Sequence, residues 1–309
     1  MKQLFTLFFT ALCVLLPIKQ LSAADGLALQ KVTDNVYALV GELGNRSPEN
    51  LGGNATFGVV VTPQGVVLID PGASWKGAAK IYAMIRTVTE KPVKIVINTG
   101  GQDHRWLGNG YFSAKGARII ANQRAVEDQK ARVQTQLMML NNLVGSEGME
   151  LTTPVYAGET FDKDLRFEFG GTVFELHHAG QAHTPGDSFV WLPQKRVVFS
   201  GDIIYMERML GVSSDSNSLK WLGAYEALAA LHPETVVPGH GHPASLEKAE
   251  ADTHLYLLFL RNAVRAFMAS GGDATGINRI DQSRFKYLLN FDTLAGQNAL
   301  QVFSQMEWE

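Results

Sequence analysis

"INTGGQDHRWLGNG", Ile97 to Gly110, runs out of the β-branched stretch Val93–Thr99 into a polar loop that carries an Asp-His pair. A carboxylate beside an imidazole just beyond a buried strand is a common start for a metal site. The residues ahead of the pair, Gly100, Gly101 and Gln102, are poor or impossible ligands. The loop reads as a metal motif with part of its donor set missing, so the rest of the site has to be sought elsewhere.

Three further segments place polar groups just past apolar strand text: "GQAHTPGDS" with His183, "VVFSGDII" with Asp202, and "VVPGHGHP" with His240. Upstream, "FGVVVT" (57–62) and "GVVLID" (65–70) flank Pro63-Gln64 as a hairpin, and Asp70 ends the second run. Helical text is expected over Ser74–Lys91 with Ser74 as N-cap, just before 117–122, over 123–144, over Leu219–Leu231 and over Pro243–Ser270. Two shorter helices are expected near 282–290 and 294–307. Strands interleaved with helices in this way predict two packed sheets with helices outside. Singly, a His or Asp after a strand is a turn residue more often than a ligand; several converging at strand ends are more specific.

The chain has 309 residues, 46% of them hydrophobic and 18% charged, the balance of an ordinary globular protein with a sizeable core. Lys2, the uncharged run Leu4–Ile18 and small residues at Ser22 and Ala24 read as a secretory signal over residues 1–24, cut to give a periplasmic or secreted protein. Its lone cysteine, Cys13, lies inside that segment, so the mature chain has no disulfide and no thiolate ligand or nucleophile. Net charge is −3, two units more acidic once Lys2 and Lys19 leave, and there is no basic block. Nucleic acid and anionic membrane surfaces are therefore not expected partners. A small-molecule substrate is, and the sequence leaves the oligomeric state open.

Taken in order, "GVVLIDPG", "INT…DH…GN", "HTPGD", "FSGD" and "VVPGHG" resemble the metallo-β-lactamase-fold superfamily over roughly residues 30–245, and the text around "NTGGQDHRWLGN" looks most like periplasmic SoxH-related hydrolases, including those named for quinoprotein relay systems. The resemblance implies an α/β fold: an αββα sandwich of two mixed sheets over 25–245, with a C-terminal helical extension at 246–309. It also implies a metal held between the open ends of the sheets.

The family's first motif, Asn-Thr-His-x-His-x-Asp-His, is much altered here. Laid down without gaps, its two leading histidines become Gly100 and Gln102, its Asp becomes His104 and its last His becomes Arg105, which has no lone pair to offer. A shift of one residue keeps Asp103-His104 as the Asp-His pair, and that register is preferred because it retains two good ligands. One family metal position then keeps only His183. The other keeps Asp103, His104, Asp202 and His240, a set suited to one zinc ion, with iron or manganese also accommodated. Four protein ligands would close the site, so catalysis needs five-coordination or one of the four acting from behind another.

The reading that follows is a metal-dependent hydrolase attacking an ester, thioester, lactone or amide with metal-activated water. Asp103 and His183 are its candidate catalytic groups. Asp70 is expected to support the ligands by hydrogen bonds. Arg105 and Trp106 either touch substrate at the site mouth or fill the space left by the lost histidines. The alternative is a non-catalytic periplasmic binding or accessory protein, linked to quinoprotein dehydrogenases, that keeps the fold and at most a structural metal.

Overall fold

The computed structural model of the protein describes residues 26–309, so the expected leader lies outside the described residues. The two apolar runs read as a hairpin are β3 (Thr56–Thr62) and β4 (Gly65–Ile69), paired antiparallel. Around them β1 (Leu27–Thr33), β2 (Val36–Gly41), β5 (Val93–Asn98), β6 (Arg118–Asn122) and β7 (Glu159–Phe161) complete a seven-stranded sheet in chain order. Its strands β4 to β7 run parallel. A five-stranded sheet has the order β12-β11-β10-β9-β8. Its members are β8 (Asp164–Phe169), β9 (Thr172–His177), β10 (Phe189–Leu192), β11 (Val197–Phe199) and β12 (Thr235–Val237). Here only β11 and β12 are parallel.

Alternation along the strands sorts side chains between two buried faces. Val60, Val67, Ile69, Ile95 and Ile97 meet Phe174, Leu176, Val190 and Phe199 between the sheets. Their neighbours Val59, Val66, Leu68 and Val96 face outward, against Ala78, Ile81 and Ile85 of helix α1 (Trp75–Arg86). Both faces being covered explains why the strand text is continuously apolar rather than alternating with polar residues. The outer face of the second sheet is covered by helices α4 (Ser218–Ala229), α5 (Leu246–Ala249), α6 (Leu255–Ala269) and α7 (Phe291–Met306). Trp221, Leu257, Leu260 and Phe303 lie there in one cluster with Trp191 and Val198. The expected α/β sandwich with C-terminal helices is the observed architecture.

Three local readings change. Helix α1 has the expected cap, Ser74 accepting from the Gly77 N–H, but ends at Arg86, where β-branched Thr87, Val88 and Thr89 follow and the Thr87 hydroxyl bonds back to Met84 O at 2.7 Å. The helix expected over 123–144 runs further, as α3 (Gln123–Gly148), after a short α2 (Asn109–Ser113). Near 282–290 there is only a 3₁₀ turn at Ser283–Phe285.

Candidate metal centre

Asp70, the loop after Asn98, Asp202 and His240 follow the C-terminal ends of β4, β5, β11 and β12, which the two parallel arrangements bring to one end of the sandwich. There His104 Nε2, the Asp202 carboxylate and His240 Nε2 offer ligand atoms all within 4.8 Å of one another, and all three residues are buried. His104 Nε2 lies 3.3 Å from Asp202 Oδ2, and His240 Nε2 lies 3.2 Å from Asp202 Oδ1.

Arg105 underlies this cluster. Its Nε and Nη2 donate to Asp202 Oδ2 and Oδ1 at 3.1 and 2.7 Å, and its Nη1 donates to Asp70 Oδ2 at 2.9 Å. Nη1 and Nη2 also reach the carbonyls of Thr56 and Gly239 at 3.2 and 2.8 Å. Asp70 grips the loop as well, accepting from Thr99 N and Oγ1 at 2.8 and 2.7 Å. Burial alone would raise the Asp202 carboxyl, but Arg105 and the neighbouring imidazoles hold it well below the usual carboxylate range. Burial pushes Asp70 up against the same guanidinium. Of the two carboxyls that share Arg105, Asp202 keeps its charge more firmly because it takes the bidentate contact.

The consecutive residues aimed at Asp202 are thus His104 and Arg105, which is the ungapped register and not the shifted one. Asp103, expected as a fourth ligand and catalytic group, does not join the cluster. Its Oδ2 takes Arg46 Nη1 at 2.6 Å, while its Oδ1 takes the His104 N–H at 2.7 Å and lies 3.1 Å from His104 Nδ1. Despite burial, Arg46 keeps Asp103 ionised far below the normal range. It stands behind His104 as a carboxylate behind an imidazole ligand does.

Arg105 and Trp106 do not line a site mouth, because both are fully buried. Trp106 Nε1 donates to Gln136 Oε1 at 2.9 Å and its ring stacks on Tyr156 at 5.2 Å. Gln129 and Gln136 of α3 fasten the loop further by donating to Gly100 O and Gly101 O at 3.1 and 2.9 Å. His183 is half-buried outside the cluster, its Nδ1 donating to Gly211 O at 3.0 Å and its ring edge-on to Tyr205 and Trp221. Burial lowers its pKa, so at neutral pH its Nε2 carries a lone pair.

The donor set fits a divalent ion. His240 Nδ1 lies 2.8 Å from Asn54 O, a carbonyl that can only accept, so the Nε2 of neutral His240 presents a lone pair to Asp202. His104 Nε2 is buried without a well-formed hydrogen bond among the described residues. Two imidazole nitrogens facing one carboxylate at contact distance are what a shared cation would reconcile. Each carboxylate oxygen has two acceptor sites, so Arg105 leaves Asp202 one on each oxygen.

Sequence reasoning passed over Arg46, Asn54 and Arg208. The first two lie in "GELGNRSPENLGGN", whose Gly and Asn density marks only a loop. Buried Asp187, in "HTPGD", accepts from Thr184 N and Oγ1 at 2.7 and 2.5 Å. Burial and the Asp202 charge push its carboxyl up to about 8. The sign follows from linkage: a carboxyl raised in the folded state contributes stability that is full below its unfolded value of about 4 and is lost as pH rises through about 8. Asp187→Asn should therefore flatten the decline in urea midpoint between pH 6 and pH 9; an unchanged decline would remove Asp187 as its source.

A sandwich with a three-donor cluster at the open strand ends defines the class: an α/β fold with a candidate metal site. The sequence profile of the Metallo-beta-lactamase superfamily matches residues 51–240, and the chain belongs to that superfamily. It is 22% identical to a linear primary-alkylsulfatase from Pseudomonas sp., over 62% of this chain and 42% of that protein. It is 26% identical to 2,4-dinitroanisole O-demethylase subunit alpha from Nocardioides sp., over 62% of this chain and 54% of that protein. The chain thus spans about half the length of these curated relatives. Among solved structures, a stereoselective inverting sec-alkylsulfatase from Pseudomonas sp. superposes with TM-score 0.70 at 17% identity, covering 90% of this chain and 50% of that one. A metallo-beta-lactamase from Pontibacter korlensis gives 0.60 at 21%, covering 75% and 99%.

Proposed function

We propose that the protein is a metal-dependent hydrolase with one metal position formed by His104, Asp202 and His240. The observation that carries this is the convergence of those three ligand atoms within 4.8 Å at the open ends of the sheets. Three protein ligands, unlike four, leave a coordination position for water or substrate. When bound there, a divalent ion supplies a polarised substrate oxygen and water acidified toward neutrality; zinc is the default for this donor set. Arg105 holds Asp202 in place from below, Asp103 stands behind His104, and His183 presents a neutral imidazole to take or return a proton.

The substrate class we assign is an ester bearing an anionic group. Arg208 is 8% exposed, makes one bond of 3.3 Å to Gly44 O, and keeps a buried Nε without a partner among the described residues. A buried cation with no ion-pair partner among the described residues is costly, and an anionic substrate group would offset that cost. The alkylsulfatases among the relatives accord with this choice. The secretory reading of residues 1–24 and the SoxH-like loop text support a periplasmic location as part of this proposal. The rival reading, a non-catalytic binding protein, draws on Arg105, which already supplies a cation between Asp202 and Asp70.

Metal analysis of the purified protein separates the two. About one equivalent of zinc is expected, lost in Asp202→Ala and in His240→Ala, which removes a ligand without stranding Arg105. Two equivalents would overturn the single position. No metal, with no turnover of alkyl sulfates, carboxylic esters or lactones, would establish the binding protein.

A further inference from the structure

The loop between β2 and β3 sets the proton position on both histidines of the cluster, and it sets them in opposite senses. Asn54 O accepts from His240 Nδ1, which leaves Nε2 as a lone pair ready for a metal. Arg46 does the reverse to His104. Its Nη2 lies 2.6 Å from His104 Nδ1, and a guanidinium is only a donor. That contact is attractive only when Nδ1 carries the lone pair, which puts the ring proton on Nε2. There it faces Asp202 Oδ2 at 3.3 Å and occupies the electron pair a metal would need.

The alternative acceptor is already in place. Asp103 Oδ1 lies 3.1 Å from the same Nδ1 and can accept a hydrogen bond from Nδ1–H once Arg46 withdraws and the ring proton moves there. Arg46 is 14% exposed, so it has a route toward solvent. Its loop is otherwise pinned: Asn50 Nδ2 donates to Asn45 O and Glu42 Oε2 at 3.0 Å each, and Asn54 Nδ2 donates to Gly44 O at 2.9 Å.

We propose that Arg46 is a positioning residue that holds His104 in the metal-refusing Nε2–H tautomer, so that metal loading at the His104–Asp202–His240 position and the Arg46–His104 contact exclude one another. This rests on the metal reading given above. The coupling is reciprocal: whatever seats Arg46 on His104 weakens the metal, and the metal displaces Arg46 toward solvent. Net charge is unchanged by the swap, because one proton moves from Nε2 to Nδ1 of the same ring.

The test uses the metal-free full chain with ¹⁵N-labelled histidine, whose long-range ¹H–¹⁵N couplings report the tautomer, together with calorimetric titration of Zn²⁺. Arg46→Met is compared with Arg208→Met, which removes a neighbouring cation that forms no hydrogen bond to a histidine among the described residues. The wild type should show His104 as Nε2–H and Arg46→Met as Nδ1–H, with zinc bound about 10–100-fold more tightly, the range typical of groups behind a ligand. Arg208→Met should leave the tautomer unchanged and tighten zinc less. A wild-type His104 already in the Nδ1–H form, or an Arg46→Met affinity no tighter than that of Arg208→Met, would overturn the proposal. If zinc binds none of the variants, the metal reading fails, while the spectra of metal-free protein still decide the role of Arg46.

Discussion

Replacing Arg105 by methionine should destabilise the protein by about 3–5 kcal/mol, the cost of removing one partner from a buried ion pair. The side chain is fully buried and joins both sheets. It reaches Thr56 O in β3 and Asp70 beyond β4 on one side, and Asp202 beyond β11 and Gly239 O beyond β12 on the other. Methionine fills much of the volume but leaves two carboxylates without their cation. Urea unfolding at pH 7 measures the loss. The deficit should also shrink in acid. In the wild type the depressed Asp202 pKa contributes stability that is present above its unfolded value and lost as pH falls through the folded one. Without Arg105 that contribution is gone, so the gap between the two proteins starts to narrow as pH falls below about 4 and closes only at the folded pKa of Asp202, well below that. Arg105→Lys should fall between them, since an ammonium keeps the charge but cannot span both Asp202 oxygens. A loss under about 1 kcal/mol for methionine would mean that the pair is weakened by solvent, as surface pairs are.

How far the sequence could be read depended on whether a residue's role was local. The β-branched runs that became β3, β4 and β5 were legible because both of their faces are apolar, as were the glycine turns that present Asp202 and His240. Strands β1 and β2 went unread: β1, "LALQKVT", is half-exposed along most of its length and lacks that apolar signature. The helical text of 243–270 hid a π turn at Glu250–His254. Its cause is tertiary: Asp252 Oδ2 accepts from Glu207 N at 2.8 Å, and Thr253 Oγ1 bonds both Tyr205 N and Tyr205 O at 3.0 and 2.6 Å. At the site, the sequence marks His104 as a ligand only in the shifted register, and Arg105, which cannot ligate, only as a substrate contact or a filler of the space left by the lost histidines. Its role needs Asp70 and Asp202 together, 35 and 97 residues away along the chain. Such a role leaves no periodic trace, and neither does that of Arg46.

Installing the first missing histidine, Gly100→His, should fail to create a second metal position and should cost about 3 kcal/mol or more, the upper range for forcing bulk into a packed interior. A Cβ at Gly100 would fall inside contact distance of Asp187 Oδ1 and within 3.4 Å of Thr184 Oγ1. Neither neighbour yields easily, because Asp187 is bonded to Thr184 N and Oγ1 and Thr184 Oγ1 also accepts from Gly101 N at 3.2 Å. From the other side Gln129 holds Gly100 O, and Asp128 stands where a Cβ on Gly101 would go. Gln102 is different: it is half-buried, and among the described residues its side chain makes one long hydrogen bond, accepting from Arg132 Nη1 at 3.5 Å. Gln102→His alone should change stability by less than about 0.5 kcal/mol, as for other lightly packed positions. Urea midpoints and zinc content of both single variants and the double variant provide the measurement. A Gly100→His protein as stable as the wild type, or a double variant holding two zinc ions, would show that the histidine pair was lost with its space intact. The expected collapse would show instead that the loop has closed over the first metal position, with Gly100 and Gly101 required by the side chains of Asp187 and Asp128 that now pack against them.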